Sequence, residues 1–202
     1  MIKKYIFQFR KKILQKILSI RYLYRVFKLF SSFDSSTYVM VKENIKFPFV
    51  NIGSDFDIYV EDIDNTKNNI KNYFDSLSNY KTTEIYCEKG HHQIDLHYRS
   101  QFIYKFDLYS GDFSSKIFNN SFIKDVIKSN RQKKFFFLKG FHISIPSQDM
   151  DIIVRIFELY THPEKKHHKD VIGIYGNDYI KKLNTKIISY SKISSSALYL
   201  GY

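Results

Sequence analysis

One stretch of the chain reads Ile52-Gly53-Ser54-Asp55-Phe56-Asp57-Ile58-Tyr59-Val60. Turn-forming residues lead into an alternating apolar run, which predicts a β-strand that begins with two aspartates one residue apart. Side chains alternate between the two faces of a strand, so Asp55 and Asp57 are expected on the same face. Such a carboxylate pair can bind a hard cation, although Asp-x-Asp is also ordinary turn chemistry at the start of a strand.

Two more aspartates lie in segments with strand character. Asp95 lies within residues 92–98, His-Gln-Ile-Asp-Leu-His-Tyr, and Asp107 lies within residues 103–109, Ile-Tyr-Lys-Phe-Asp-Leu-Tyr. Both are surrounded by residues of high β propensity. We expect each acid either to face solvent on an open sheet or to serve as a ligand. Together with the Asp55 and Asp57 pair, a third acid would suit the Mg²⁺ ions of phosphoryl and nucleotidyl transfer.

The composition limits the class of protein. The chain has 202 residues with a net charge of +12, 19 Phe, 17 Tyr and no Trp. This length allows one domain with an accessory helical part. The single cysteine, Cys87, excludes an intrachain disulfide and a multi-cysteine zinc site, and it fits a reducing compartment. Charged residues interrupt every apolar run before about 18 residues, so we expect no membrane span.

The basic charge is concentrated near the start of the chain. Residues 1–32 carry nine Lys or Arg and no acid. Apolar residues in this part recur at spacings of three and four, which predicts a basic amphipathic helical arm over residues 1–33. Three roles are open for this arm: packing on the domain, contact with an anionic membrane surface, or contact with nucleic acid phosphates.

The remaining pattern predicts an α/β domain over residues 34–146 and a helical part over residues 147–202. We expect an α+β fold, a small mixed β-sheet flanked by helices. Strands are predicted near residues 37–42, 55–60, 82–88, 91–98 and 102–109, with a hairpin over 134–145. Helices are predicted over residues 64–80 and 114–129, from an N-cap at Ser147, and over residues 167–175 and 179–192. Asp64 or Asn65 is the expected N-cap of the first of these helices.

This order of elements resembles the nucleotidyltransferase fold of the polymerase-β type. At the residue level the chain is most similar to nucleotidyltransferase-like proteins of bacterial surface-polysaccharide gene clusters. The resemblance covers about residues 37–175 and is carried by five short motifs in order: Phe47-Pro48-Phe49, Asp55-Phe56-Asp57-Ile58, Ile94-Asp95-Leu96-His97, Phe106-Asp107-Leu108-Tyr109 and Ile145-Pro146-Ser147.

The resemblance implies an activity and a set of site residues. It implies transfer of a nucleotidyl group from an NTP to an unknown acceptor, which is a sugar, a phosphosugar or a protein hydroxyl. Asp55, Asp57 and Asp95 are the expected Mg²⁺ ligands, with Asp107 as the competing third acid. The resemblance also places the protein in surface-glycan assembly in the cytoplasm, at the inner face of the membrane. There, residues 1–32 would contact the membrane or a partner glycosyltransferase.

The chain departs from the family pattern at one place. The family has Gly-Ser after its first strand, where this chain has Val41-Lys42-Glu43-Asn44, and Gly53-Ser54 abuts the acid pair instead. Lys42 and Ser54 are nevertheless the candidate phosphate-binding residues, together with His97. The alternative function is a catalytically silent member that binds a nucleotide or a partner. A basic nucleic-acid-binding module is disfavoured, because its charge is confined to one helix and the acid pair repels phosphate.

Two groups near the helical part have open interpretations. Arg155 and Glu158 lie one turn apart on a predicted helix and are expected to pair with each other or to face water. His162 to Lys169 form a basic cluster, expected to be a solvated loop and helix start. In its functional alternative, Lys166 or His168 lies near phosphates at the domain boundary.

Overall fold

The computed structural model describes residues 17–42, 50–135 and 140–192. Residues 1–16 of the predicted arm and the motif Phe47-Pro48-Phe49 lie outside the described residues. Within the described ranges, the protein has the α+β architecture that the sequence predicts, with a mixed five-stranded sheet, a separate two-stranded hairpin and flanking helices.

The helices and strands follow one another along the chain in a fixed order. Residues 17–30 are helical (α1). The elements that follow are β1 (Tyr38–Met40), β2 (Asp55–Val60), α2 (Ile63–Asp75), β3 (Tyr80–Glu88), β4 (His91–Tyr98), β5 (Gln101–Ser110), α3 (Ser121–Lys128), β6 (Arg131–Phe135), β7 (Phe141–Ile145), α4 (Gln148–Thr161), α5 (Lys166–Tyr175) and α6 (Asn177–Tyr190).

The sheet has the strand order β1-β2-β5-β4-β3. Strands β2 and β5 are parallel, and every other neighbouring pair is antiparallel. After β2, helix α2 carries the chain to the far edge, and the β3-β4-β5 meander then returns towards β2. A Lys89-Gly90 turn joins β3 to β4, between the strands predicted near residues 82–88 and 91–98. Gly90 has φ +75°, and a Cβ there would lie 2.2 Å from the Phe113 backbone nitrogen, so glycine is required.

Alternating side chains divide strand β2 between two hydrophobic cores. Phe56, Ile58 and Val60 point into a core closed by α1, α2 and the β6–β7 hairpin. Tyr59 points to the opposite face, where α3, α4, α5 and α6 build a second core. Asp55 and Asp57 share that opposite face, in agreement with the period-two pattern of the sequence. The acid pair therefore lies on the side of the sheet that the helical part covers.

Helix α1 packs into the first core with only part of the predicted apolar stripe. Of the apolar residues that recur at spacings of three and four, Phe27 is buried, whereas Ile17 and Ile20 are 58% and 44% exposed. Val26, Phe27 and Phe30 are fully buried there. The Tyr38 hydroxyl donates to the Phe30 carbonyl at 2.9 Å and accepts from the Ser144 N–H at 3.1 Å, which ties α1 to β1 and β7. Residues 17–30 are thus part of the domain, and membrane or nucleic acid contact by residues 1–32 stays a prediction.

Some helix boundaries differ from the sequence prediction. The N-cap of α2 is Asp62, whose carboxylate accepts from the Asn65 N–H, so the prediction of Asp64 or Asn65 was wrong. Helix α3 begins at Ser121 rather than near residue 114, because the preceding segment runs irregularly and pairs Phe118 with Ser191. The Ser147 cap of α4 is confirmed; its hydroxyl accepts from the Met150 N–H.

Candidate active site: carboxylates and lysines on one face of the sheet

The parallel pairing of β2 and β5 brings three acids together. Asp57 is the register partner of Asp107, and Asp55 is the register partner of Lys105. Register partners in a sheet point to the same face, with Cβ atoms about 5 Å apart. Asp107 is therefore the acid next to the Asp55 and Asp57 pair. Its side chain is only 9% exposed.

Asp95 lies on the same face but on the next strand out. In the β4–β5 ladder it is opposite Lys105, so β5 lies between Asp95 and the acid pair. Two strand spacings, about 9.6 Å, separate β4 from β2. The Asp95 carboxylate accepts a hydrogen bond from the Gln93 amide at 2.7 Å. This placement favours Asp107 over Asp95 as the third acid of a shared site.

Lys105 connects two of the three acids. Its ammonium lies 3.1 Å from Asp55 Oδ2 and 3.0 Å from Asp107 Oδ2. Burial alone would lower the pKa of Lys105, but the two carboxylates raise it above its usual value. Lys105 is two residues before Asp107, so the strand period puts it on the acid face. Lys105 is not among the residues predicted for the site, although this spacing identifies it.

His91 lies behind Asp107. Its Nε2 is 3.6 Å from Asp107 Oδ1, and its ring stacks on Tyr109 with centroids 4.2 Å apart. Burial would raise the pKa of Asp107, but His91 and Lys105 together bring it below its usual value. Asp107 is thus an ionised carboxylate in a largely buried position.

Lys42 contacts the remaining acid of the pair. Its Nζ lies 2.9 Å from Asp57 Oδ2 and 3.3 Å from Glu158 Oε2, and the side chain is 14% exposed. Burial would lower the pKa of Lys42, but the two carboxylates raise it overall. Burial also raises the pKa of Asp57, and the Lys42 ammonium only partly opposes this. Lys42 is therefore a member of the charged cluster rather than a solvated lysine.

The helical part supplies Glu158 to the same cluster. This residue lies near the end of α4 and contacts both Lys42 and Lys165. Burial would raise the pKa of Glu158, but the two ammonium groups lower it to about 2. No local signal in the sequence joins Glu158 to Lys42, which lies 116 positions earlier, and the sequence analysis therefore missed this contact.

Arg155 and Glu158 take different partners, so the prediction that they pair with each other or face water was wrong. Arg155 is 1% exposed and pairs with Asp151 at 2.8 Å. Its Nη1 lies 3.2 Å from the Nδ1 of His168, which is also buried. Burial, with help from the charges of His167 and Arg155, lowers the pKa of His168 to about 3. His168 is therefore neutral near pH 7 and unsuited to binding phosphate by charge.

The other two predicted binding residues lie at the margins of the cluster. Ser54 is in the turn before β2, where its N–H donates to the Asn51 carbonyl and its own carbonyl accepts from the Lys105 N–H. His97 lies further along β4 than Asp95, with its ring 6.0 Å from that of Phe102. These contacts of Ser54 and His97 do not involve Asp57 or Asp107.

The donor chemistry of the cluster fits a hard divalent cation. Asp55, Asp57 and Asp107 offer carboxylate oxygens from adjacent strands, the ligands that Mg²⁺ prefers. In the described part of the chain, no three His, Cys, Asp or Glu side chains are gathered closely enough to hold a metal ion as placed. Because lysine ammonium groups contact the carboxylates, Mg²⁺ binding requires Lys42 and Lys105 to change partners.

No protein-family model matches the chain, and no curated protein matches it. Across residues 17–42, 50–135 and 140–192, no helix combines the length and the apolar character needed to cross a membrane.

Proposed function

We propose that the protein is a metal-dependent nucleotidyltransferase-like enzyme. The observation that carries this proposal is the register pairing of Asp57 with Asp107 on parallel strands, with Asp55 on the same face. The three carboxylates come from adjacent strands, and carboxylate oxygens are ligands that Mg²⁺ prefers. Asp55, Asp57 and Asp107 are the proposed Mg²⁺ ligands.

Bound Mg²⁺ would neutralise charge on the NTP phosphates and on the leaving pyrophosphate. The lysines of the cluster have a matching role. Each of three lysines, Lys42, Lys105 and Lys165, contacts a carboxylate. When the nucleotide binds, each ammonium group can exchange that carboxylate for a phosphate oxygen as its hydrogen-bond partner. The protein then binds and orients the phosphates between its carboxylates and its lysines, and positioning supplies much of the rate enhancement.

The proposed reaction is a substitution at the α-phosphorus. An acceptor hydroxyl oxygen forms the new bond to phosphorus, and the bond to pyrophosphate breaks. Asp55 is suited to accept the hydroxyl proton, because its side chain is 49% exposed and it is the most accessible of the three acids.

The resemblance to proteins of surface-polysaccharide gene clusters supplies the cellular setting of the proposal. The acceptor in that setting is a sugar, a phosphosugar or a protein hydroxyl on the cytoplasmic side of the membrane. Residues 1–16, with the described start of α1, are the part of the chain proposed to contact the membrane or a partner glycosyltransferase. Liposome flotation of the full chain and of a chain lacking residues 1–16 tests the membrane contact.

A second candidate is a catalytically silent nucleotide- or partner-binding protein. The observation that favours it is the contact between Lys42 and Asp57, at the place where the active family has Gly-Ser. A lysine at this position compensates the charge of Asp57 without any metal. In a silent protein this ion pair would be permanent.

Calorimetric titration separates the two candidates. The full chain is titrated with each of the four common NTPs, with and without Mg²⁺, and pyrophosphate release is followed in parallel. The enzyme proposal predicts nucleotide binding that requires Mg²⁺ and is abolished in Asp57→Asn. Nucleotide binding that is indifferent to Mg²⁺ and to Asp57→Asn, with no pyrophosphate release, supports the silent protein.

A further inference from the structure

Lys42 is held between two carboxylates that belong to different parts of the fold. Its Nζ lies 2.9 Å from Asp57 on the sheet and 3.3 Å from Glu158 on α4. An ammonium group has three donors, so both carboxylates can accept from it at once. Lys42 therefore has two available acceptors, Asp57 on the sheet and Glu158 on α4.

The backbone of Lys42 also indicates a constrained position. Its φ is +59°, in the left-handed region that non-glycine residues rarely adopt. A residue in this region is strained and persists where its surroundings fix it. The preceding residue is fixed in turn by the bond from the Val41 N–H to the Asp57 carbonyl, 3.0 Å. The side chain starts from this constrained backbone, and its ammonium lies between Asp57 and Glu158.

Lys42 competes with any cation for Asp57. In a partly buried position, a lysine that leaves a carboxylate needs another negative group close by, because an uncompensated buried charge is costly. Glu158 is that group, since it already contacts the ammonium. A small shift of Nζ, away from Asp57 and fully onto Glu158, frees the Asp57 oxygen and keeps Lys42 paired.

We infer that Glu158 is a positioning residue that receives Lys42 when Asp57 binds a divalent cation. This inference rests on the proposed function, because it concerns the metal that Asp57 would hold. The helical part would then influence how tightly Asp57 on the sheet binds the cation. Glu158 itself stays outside the coordination shell and acts through Lys42.

The test measures Mg²⁺ binding to the full chain by calorimetry, with Mg²⁺ alone as the probe. Glu158→Gln and Glu158→Asp are compared in the natural chain and in a chain carrying Lys42→Met. Because Glu158 and Lys42 are in contact, Glu158→Gln should weaken Mg²⁺ binding about tenfold when Lys42 is present. In the Lys42→Met chain the same change should alter the affinity by no more than about twofold.

Glu158→Asp separates position from charge. It keeps the negative charge but withdraws the carboxylate by one methylene group, so it should weaken Mg²⁺ binding about threefold, and only when Lys42 is present. It also provides a usable variant if Glu158→Gln fails to fold, which unfolding midpoints will reveal. Wild-type affinity in Glu158→Asp would mean that only the charge matters, and the inference would be wrong.

Two other results are distinguishable. If Mg²⁺ binds the natural and the Lys42→Met chains but Glu158→Gln weakens both equally, the inference fails while the proposed metal site stands. If neither chain binds Mg²⁺, the proposed function fails and the inference fails with it.

Discussion

Asp57 and Asp107 are register partners on two parallel strands, and both point to the face of the sheet that the helical part covers. This relationship depends on the sheet topology. The β3-β4-β5 meander starts at the far edge and ends beside β2, so the last strand of the meander, not the first, meets the acid pair. The bridge from Lys105 to Asp55 and Asp107 follows from this adjacency.

The Tyr38 hydroxyl is expected to contribute to stability. Tyr38→Phe removes the acceptor of the Ser144 N–H, which is left unpaired, and one donor to the Phe30 carbonyl, which keeps its bond from the Phe33 N–H at 3.2 Å. Unpaired buried groups cost about 1–3 kcal/mol each, so the free energy of unfolding should fall by at least about 1 kcal/mol. Urea denaturation of Tyr38→Phe measures this loss. Tyr160→Phe, at a 38% exposed position, is the control. Equal stability of the two variants would refute this role.

His168 is expected to make the protein less stable in mild acid. The pKa of His168 is about 3 in the folded protein and about 6.5 in the unfolded chain, so between these values the unfolded state binds the extra proton. Its contribution to the free energy of unfolding is therefore intact above about pH 6.5 and is lost progressively as the pH falls towards 3. The loss between pH 7 and pH 5 should be about 2 kcal/mol.

Replacing His168 should remove this part of the pH dependence. The free energy of unfolding, measured by denaturation between pH 7 and pH 5, should fall less for His168→Gln than for the natural chain. His162→Gln is the matched control, because the His162 side chain is 51% exposed. If the free energy of unfolding falls as steeply with pH for His168→Gln as for His162→Gln, protonation of His168 is not the cause of the loss of stability in acid.

The sequence predicts the local features of this fold well. Period-two alternation identifies the shared face of Asp55 and Asp57, and turn chemistry identifies the Lys89-Gly90 turn. The Ser147 cap is likewise readable from the sequence, because a cap depends on residues within one helical turn. These features need no knowledge of which strands are neighbours.

The sequence does not predict which strand meets β2. The resemblance of Ile94-Asp95-Leu96-His97 to the family motif favoured Asp95 as the third acid. Strand propensity could not decide between the two acids, because it is similar around Asp95 and Asp107. Whether β2 pairs with the first or the last strand of the meander depends on long-range packing, which local patterns do not encode. The contact between Lys42 and Glu158 is of the same kind. It appears only when α4 packs on the sheet.

The most direct test of the account compares Asp107→Asn with Asp95→Asn. Both changes are isosteric, remove one negative charge and lie on the same face of the sheet, but only Asp107 is the register partner of Asp57. Calorimetry should show that Asp107→Asn weakens Mg²⁺-dependent NTP binding at least about tenfold, while Asp95→Asn changes it by no more than about twofold. Equal effects, a larger effect of Asp95→Asn, or no Mg²⁺-dependent binding to the natural chain would contradict the account.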